Sequence, residues 1–184
     1  MDIDARIEGL TAGDRAKLGQ GEVLVYPSTA PGGGVAAHAL GLVNAGVERV
    51  WPVLRDGEKF ADWMPRTKSS KLVRTDPDGG KVIALEIGMP FPLKNLYSEV
   101  RSTLHDHPSG GHVRRWTLER GTYRRNDGSW TVVPYGEGGD WTLVGYHLDV
   151  QLDLRVPDKL LQKAQTSALP QMFDAIRQRV RAVG

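Results

Sequence analysis

The chain contains no cysteine, which excludes disulfides, thiolate metal sites, a cysteine nucleophile and a prenyl or palmitoyl anchor. A chain without thiols is compatible with either redox compartment. No apolar run approaches the roughly 18 residues of a membrane span. The first residues, Met1-Asp2-Ile3-Asp4-Ala5-Arg6, do not read as a signal peptide, because the charges alternate and no apolar stretch follows. The expected location is therefore the cytoplasm, or the periplasm if an export signal preceded residue 1. A charge surplus is missing as well. Twenty-four basic against 22 acidic residues leave a formal charge of +2, too even to point to nucleic acid or an anionic membrane as the main partner. Glycine (22) and proline (11) together stay far below the level of low-complexity chains, which excludes disorder, collagen and repeat arrays. What is present is 184 residues with 40% hydrophobic content, the length of one domain and enough to bury a core without staples.

Chemical motifs are equally sparse. There is no Gly-x-Ser-x-Gly elbow, no phosphate-cradling loop and no paired His-Glu metal motif. Gly32-Gly33-Gly34 falls between two strand patterns and opens no helix, so it is not a dinucleotide fingerprint. His105, Asp106, His107 and His112 have metal-like spacing, but Pro108-Ser109-Gly110-Gly111 places them at a hairpin tip, where solvated turn residues are the commoner outcome. The basic residues Arg114, Arg115, Arg120, Arg124 and Arg125 lack interleaved exposed aromatics and read as a solvated face.

The hydrophobic pattern is that of an α+β chain. Thr11 with Asp14 starts a short helix through Leu18, strands follow near 22–26 and 35–44, and helical spacing recurs at 46–55 and 58–63. From there the chain is nearly all strand: 67–75, 81–89, 94–105, 112–121, 128–134 and 141–154, separated by turn clusters that include Asn126-Asp127-Gly128. Val144, Tyr146, Leu148, Val150, Leu152 and Leu154 alternate with polar residues, the mark of a half-buried antiparallel strand. A helix over 157–182 closes the chain, with a kink or break expected beside Pro170. That helix is about 39 Å long and the last strand about 43 Å, so they can lie along each other. One helix about 10 Å wide cannot cover seven or eight strands spaced about 4.8 Å apart. The sheet must curl around it, leaving a volume filled either by side chains or by a cavity.

Three stretches in this order resemble the START-like (SRPBCC) superfamily with its helix-grip fold. They are Val47 to Asp56 followed by Phe60-Ala61-Asp62-Trp63-Met64-Pro65-Arg66; Met89-Pro90-Phe91-Pro92-Leu93-Lys94-Asn95-Leu96-Tyr97-Ser98-Glu99-Val100; and Gly128-Ser129-Trp130 with the last strand and Gln165 to Met172. Met64-Pro65 after Trp63 is similar to bacterial polyketide-cyclase-like and coenzyme-Q-binding-like members. The resemblance divides the chain into an extension, 1–20, and a ligand-binding domain, 21–184. It implies an internal hydrophobic cavity between a curved antiparallel sheet and the long C-terminal helix.

The residues expected to line that cavity are Trp51, Trp63 and Met64 from the helical segments, then Leu85, Ile87, Leu96 and Ser98 from the central strands. Trp116, Leu118, Tyr146 and Leu148 come from the later strands, and Leu161, Met172, Phe173 and Ile176 from the last helix. Met89, Phe91 and Leu169 flank prolines and are expected to form the gate. Ser98, Ser102, Arg114 and Arg120 have the parity of inward-facing positions; a buried Arg or Ser is either paired inside or offered to a ligand head group, and a strand-end Arg can instead reach solvent at the rim. Acid–base chemistry by Tyr146 or His38 is open, though neither has a visible partner.

The implied function is non-covalent binding, carriage or transfer of a lipid, isoprenoid quinone or polyketide-like molecule. An aromatase/cyclase-type enzyme and a protein-interaction module are the alternatives. No cofactor, no metal and no nucleic acid are expected, transient membrane contact is compatible, and the sequence does not fix an oligomeric state.

Overall fold

The computed structural model describes residues 3–30, 32–89, 94–152 and 158–183; the side chains of 3–4, 27–29 and 158–166 are outside that description. Eight strands form one antiparallel sheet: β1 (Leu24–Thr29), β2 (Val35–Val43), β3 (Thr67–Thr75), β4 (Lys81–Ile87), β5 (Leu96–His107), β6 (Gly111–Gly121), β7 (Tyr123–Tyr135) and β8 (Trp141–Leu152). Their order is β1-β2-β8-β7-β6-β5-β4-β3, a meander from β3 to β8 whose last strand returns beside β2. The helices are α1 (Ile3–Glu8), α2 (Ala12–Gly19), α3 (Val47–Arg55) and α4 (Asp158–Val183), with a 3-10 helix over Gly57–Asp62.

The sheet is curved and open, with α4 on its concave face. Helix α4 reads Leu169, Phe173, Ile176 and Val180 into the main core, the spacing of one helical stripe. The core is completed by Val50, Val53 and Leu54 of α3 and by Trp130, Val144 and Tyr146 of the sheet. Arg177 Nε donates to the Leu42 carbonyl at 3.0 Å and ties α4 to β2. The expected break at Pro170 does not occur, and α4 is one helix from Asp158 to Val183. Proline removes one hydrogen bond from the ladder, but Leu169 and Phe173 on either side of it are buried, and that packing keeps the two halves in one helix.

The convex face carries a second cluster. Leu40 and Leu42 alternate with Ala37 and Ala39 along β2, so they point away from α4; Leu10 and Leu18 from the N-terminal segment pack on them. Thr11 caps α2: its Oγ1 accepts from the Asp14 N–H at 3.1 Å, and Asp14 accepts in return from the Thr11 N–H at 3.0 Å.

One turn differs from expectation. Asn126, Asp127 and Gly128 lie inside β7, and the chain reverses instead around Gly121 and Thr122. The side chains explain it. Asp127 Oδ1 accepts from the Leu118 N–H at 3.1 Å, bridging β6 and β7 where their ladder has ended at Trp116–Gly128. Asn126 turns inward to Ser98 and Trp116 rather than onto its own backbone.

Candidate functional site

Where β6 and β7 part, the concave face and α4 border a partly open cavity of about 220 Å³. Its apolar wall comes from Leu85 and Ile87 on β4, Leu96 and Val100 on β5, Leu148, Val150 and Leu152 on β8, and Ala168, Leu169 and Met172 on α4. Aromatic rings stand on the sheet side: Trp130 and Tyr146 have centroids 4.4 Å apart, and Tyr146 and Trp116 6.1 Å. Trp116 lies over Gly128, where a Cβ would sit 2.3 Å from Trp116 Cζ2 and 2.4 Å from the His147 carbonyl oxygen. Only glycine admits the indole there.

Polar groups are few and placed on the same wall. Asn126 Oδ1 accepts from Trp116 Nε1 at 3.3 Å, and Asn126 Nδ2 donates to Ser98 Oγ at 3.4 Å. Arg114, Tyr123 and Tyr146 also face the cavity. Burial holds Arg114 down to about 10, with the Glu58 and Asp56 charges working against it, so it remains a cation at neutral pH. Burial raises the hydroxyl pKa of both Tyr123 and Tyr146, which stay neutral donors.

Of the residues expected from the sequence, Met64, Leu85, Ile87, Leu96, Ser98, Trp116, Tyr146, Leu148, Leu169 and Met172 border the cavity. Five do not. Trp51 stacks on His112 with centroids 4.9 Å apart, near the far end of the sheet. Trp63 packs edge-on against Phe60 at 5.4 Å. Leu118 pairs with Val100 on the inner face, where the β6–β7 ladder has already stopped, and does not reach the cavity. Phe173 and Ile176 are spent on the α3–β2 side of the core. Met89 packs against the Val35, Leu96, Val150 and Leu152 cluster beside the cavity. Phe91 and the Leu161 side chain lie outside the described residues. Arg120 faces solvent and pairs with Glu99 at 2.6 Å, because a bulge at Glu99/Val100 changes the β5–β6 register and with it the parity.

His38 is not a cavity residue: it lies on the convex face, stacked on His147 with centroids 4.6 Å apart. At the β5–β6 hairpin, His112 Nδ1 is 3.1 Å from Asp106 Oδ1 and His105 Nε2 is 2.9 Å from Thr103 Oγ1. Among the described residues no group of three or more His, Asp or Glu could hold a metal ion, and no helix is long and apolar enough to cross a membrane.

The sequence reading missed Ala37, Phe60, Tyr123, Asn126, Trp130, Val150 and Leu152. Val150 and Leu152 share the parity of Tyr146 and Leu148 and were within reach of the same alternation. Tyr123 and Asn126 were not, because a triplet of turn formers hid the start of β7.

The sequence profile of the family described as "Polyketide cyclase / dehydrase and lipid transport" matches residues 43–177. No curated protein matches the chain in sequence. Among solved structures, the STAR-related lipid transfer protein from Xanthomonas axonopodis superposes with a TM-score of 0.74 at 22% identity, covering 86% of this chain and 93% of that one. Human StAR-related lipid transfer protein 5 gives 0.71 at 11% identity, with 98% and 94% covered. The Zhui aromatase/cyclase from Streptomyces sp. R1128 gives 0.57 at 12%, with 87% and 94% covered. At these identities the likeness is one of fold.

Proposed function

The chain belongs to the polyketide cyclase / dehydrase and lipid transport family, and on that premise we propose that it binds and carries one hydrophobic small molecule, non-covalently, in the cavity against α4. The observation that supports this reading is the cavity itself. It is walled by apolar and aromatic side chains with a handful of polar groups on one side, the make-up of a small-molecule site. Well-packed interiors leave few voids larger than a water molecule, so a space of about 220 Å³ beside α4 calls for an occupant.

Its size narrows the choice. Typical ligand pockets run from about 300 Å³ upward, while about 150 Å³ of apolar cavity is enough for benzene. The present volume suits a fused ring system or a short chain. A long acyl or isoprenoid chain fits only if Leu169 and Met172 swing aside, which makes them, with Met89, the proposed gate. The proposed site residues are those bordering the cavity.

Native mass spectrometry of the purified protein tests the reading. A co-purified small hydrophobic mass, released by denaturation, is the expected result. An apo mass together with no affinity for a panel of lipids, quinones and fused aromatics overturns it. A second reading, an aromatase/cyclase-type enzyme, is favoured by one observation: Tyr123 and Tyr146 line the cavity with hydroxyls that have no hydrogen-bond partner among the described residues, as neutral groups that hydrogen-bond and orient a substrate oxygen would. Turnover of an aromatic polyketide would promote that reading above carriage.

A further inference from the structure

The charges around the inner wall of the cavity do not balance. Arg114 is 2% exposed, and its hydrogen bonds go to neutral acceptors. Nε donates to Ser102 Oγ at 2.8 Å and Nη1 to the Leu54 carbonyl at 3.4 Å. Phe60 and Trp116 flank it, with Cζ 5.0 and 5.8 Å from their ring centroids. The 3-10 helix leaves the guanidinium its space only because residue 57 is glycine; a Cβ there would lie 2.2 Å from Nη2. Among the described residues no carboxylate is within ion-pair distance of it. Each of the two acids that act on it through space, Glu58 and Asp56, already pairs with another cation, although Glu58 keeps its buried Oε2 without a hydrogen-bond partner. Lys81 Nζ is 2.6 Å from Glu58 Oε1, and Arg55 Nε and Lys59 Nζ are each 2.9 Å from Asp56 oxygens. Two carboxylates therefore serve three other cations before Arg114 is counted.

A buried guanidinium is costly unless it is both hydrogen-bonded and neutralised. Ser102 and Leu54 meet the first need and leave the second open. Tyr146 is close enough to Arg114 for the two groups to act on each other through space. Its hydroxyl, like that of Tyr123, is a protonated donor with no acceptor. Both charged side chains that line the cavity, Arg114 and Arg66, are positive, and the two tyrosine hydroxyls can each give a hydrogen bond.

Building on the reading that the cavity holds a hydrophobic ligand, we infer that the ligand is an acid: a flat or compact apolar body bearing an anionic oxygen, such as a carboxylate, which Arg114 neutralises while Trp116, Trp130 and Tyr146 cover the body. The protein thereby supplies the cation and the ligand supplies the counter-charge. An ionic hydrogen bond of this kind favours the charged ligand by ten- to a hundredfold, the desolvation of the carboxylate taking back the rest.

The test compares 2-naphthoate with naphthalene-2-carboxamide, which has the same shape and no charge, by calorimetry and by quenching of the tryptophans at pH 7. The expected result is at least tenfold tighter binding of naphthoate, with the ratio retained in Arg114→Lys and reduced to about one or below in Arg114→Met. If Arg114→Met does not fold, the wild-type ratio decides alone. Equal or tighter binding of the carboxamide overturns the acid assignment and leaves the hydrophobic-ligand reading standing. Failure of both compounds to bind overturns the acid assignment, and the hydrophobic-ligand reading falls with it only if the lipids and quinones of the panel fail as well.

Discussion

A cavity kept open in a folded protein is a stability deficit, and filling it should show the size of that deficit. Ala37 on β2 is buried, borders the cavity, and pairs across the ladder with Leu148, another wall residue. Ala37→Leu adds three methylene equivalents to the space. At about 0.8 kcal/mol per buried CH₂ the gain is about 2.4 kcal/mol. Fixing the leucine rotamer returns about 0.5–1 kcal/mol of that, leaving about 1.5 kcal/mol. For a domain of this size that is a rise in Tm of about 3–6 °C in the absence of ligand. The same side chain occupies the ligand's place, so affinity for 2-naphthoate or any co-purified ligand should fall at least tenfold. Thermal unfolding followed by circular dichroism and a binding titration on one preparation read both effects. A Tm lowered by overpacking, with ligand affinity unchanged, would mean that no usable space adjoins Ala37, and the cavity argument would fail with it.

Gly128→Ala should cost about 1–3 kcal/mol and move the tryptophan emission, because its Cβ would sit 2.3 Å from Trp116 Cζ2; an unchanged urea midpoint and spectrum would show that Trp116 is not seated there. Acid should destabilise the fold. Asp76 is held below the ordinary carboxylate range by Arg101 and Arg74, Asp78 by the Gly80 N–H and Arg101, and Glu99 by Arg120 and Tyr97. With folded values below unfolded ones, their contribution is complete above the unfolded value near 4 and is lost as pH falls through the folded values. Urea midpoints should be level from pH 7 to 5 and fall below 4; a midpoint unchanged to pH 3 would refute this. If Leu169 and Met172 form a gate, amide exchange should be faster over 166–172 than in the middle of β8, and bound ligand should slow it there first. Uniform protection, unaltered by ligand, would mean that Pro170 shapes the helix and nothing more.

The fold was legible because the two periods are written plainly. Alternation over residues 144–152 and 83–87 identified half-buried strands, and the stripe through Met172, Ile176 and Val180 identified the gripped helix. What failed was punctuation. Pro170 and Asn126-Asp127-Gly128 carry local signals for a break and a turn, and tertiary packing overrode both: the core residues flanking Pro170 hold α4 in one piece, and Asn126 and Asp127 bond to neighbouring strands instead of to their own backbone. Arg120 takes the solvent-facing alternative that a strand-end arginine has, and the register supplies the reason. A single bulge between Glu99 and Val100 exchanges faces, and nothing in the residue types announces it.

The site was only half legible, and the physical reason is general. Periodicity tells which face of a strand or helix is buried, and so it found Leu85, Ile87, Tyr146 and Leu148. It cannot tell a residue that meets another side chain from one that meets empty space, since both are apolar and inward. Phe173 and Met172 are neighbours on α4; one fills the core against Trp130, with centroids 6.2 Å apart, and the other borders the void. Emptiness is a difference between two volumes, the space enclosed by the backbone and the sum of the side chains placed in it, and a one-dimensional pattern carries only the second. Polarity is the exception. An arginine with the parity of Trp116 announces itself in the sequence as a group that needs a partner. The structure then shows Arg114 buried beside a cavity, with Ser102 and Leu54 as its acceptors and no carboxylate among the described residues in ion-pair contact with it. On the acid-ligand proposal, the clearest sequence signal is therefore a buried wall arginine that no carboxylate among the described residues contacts.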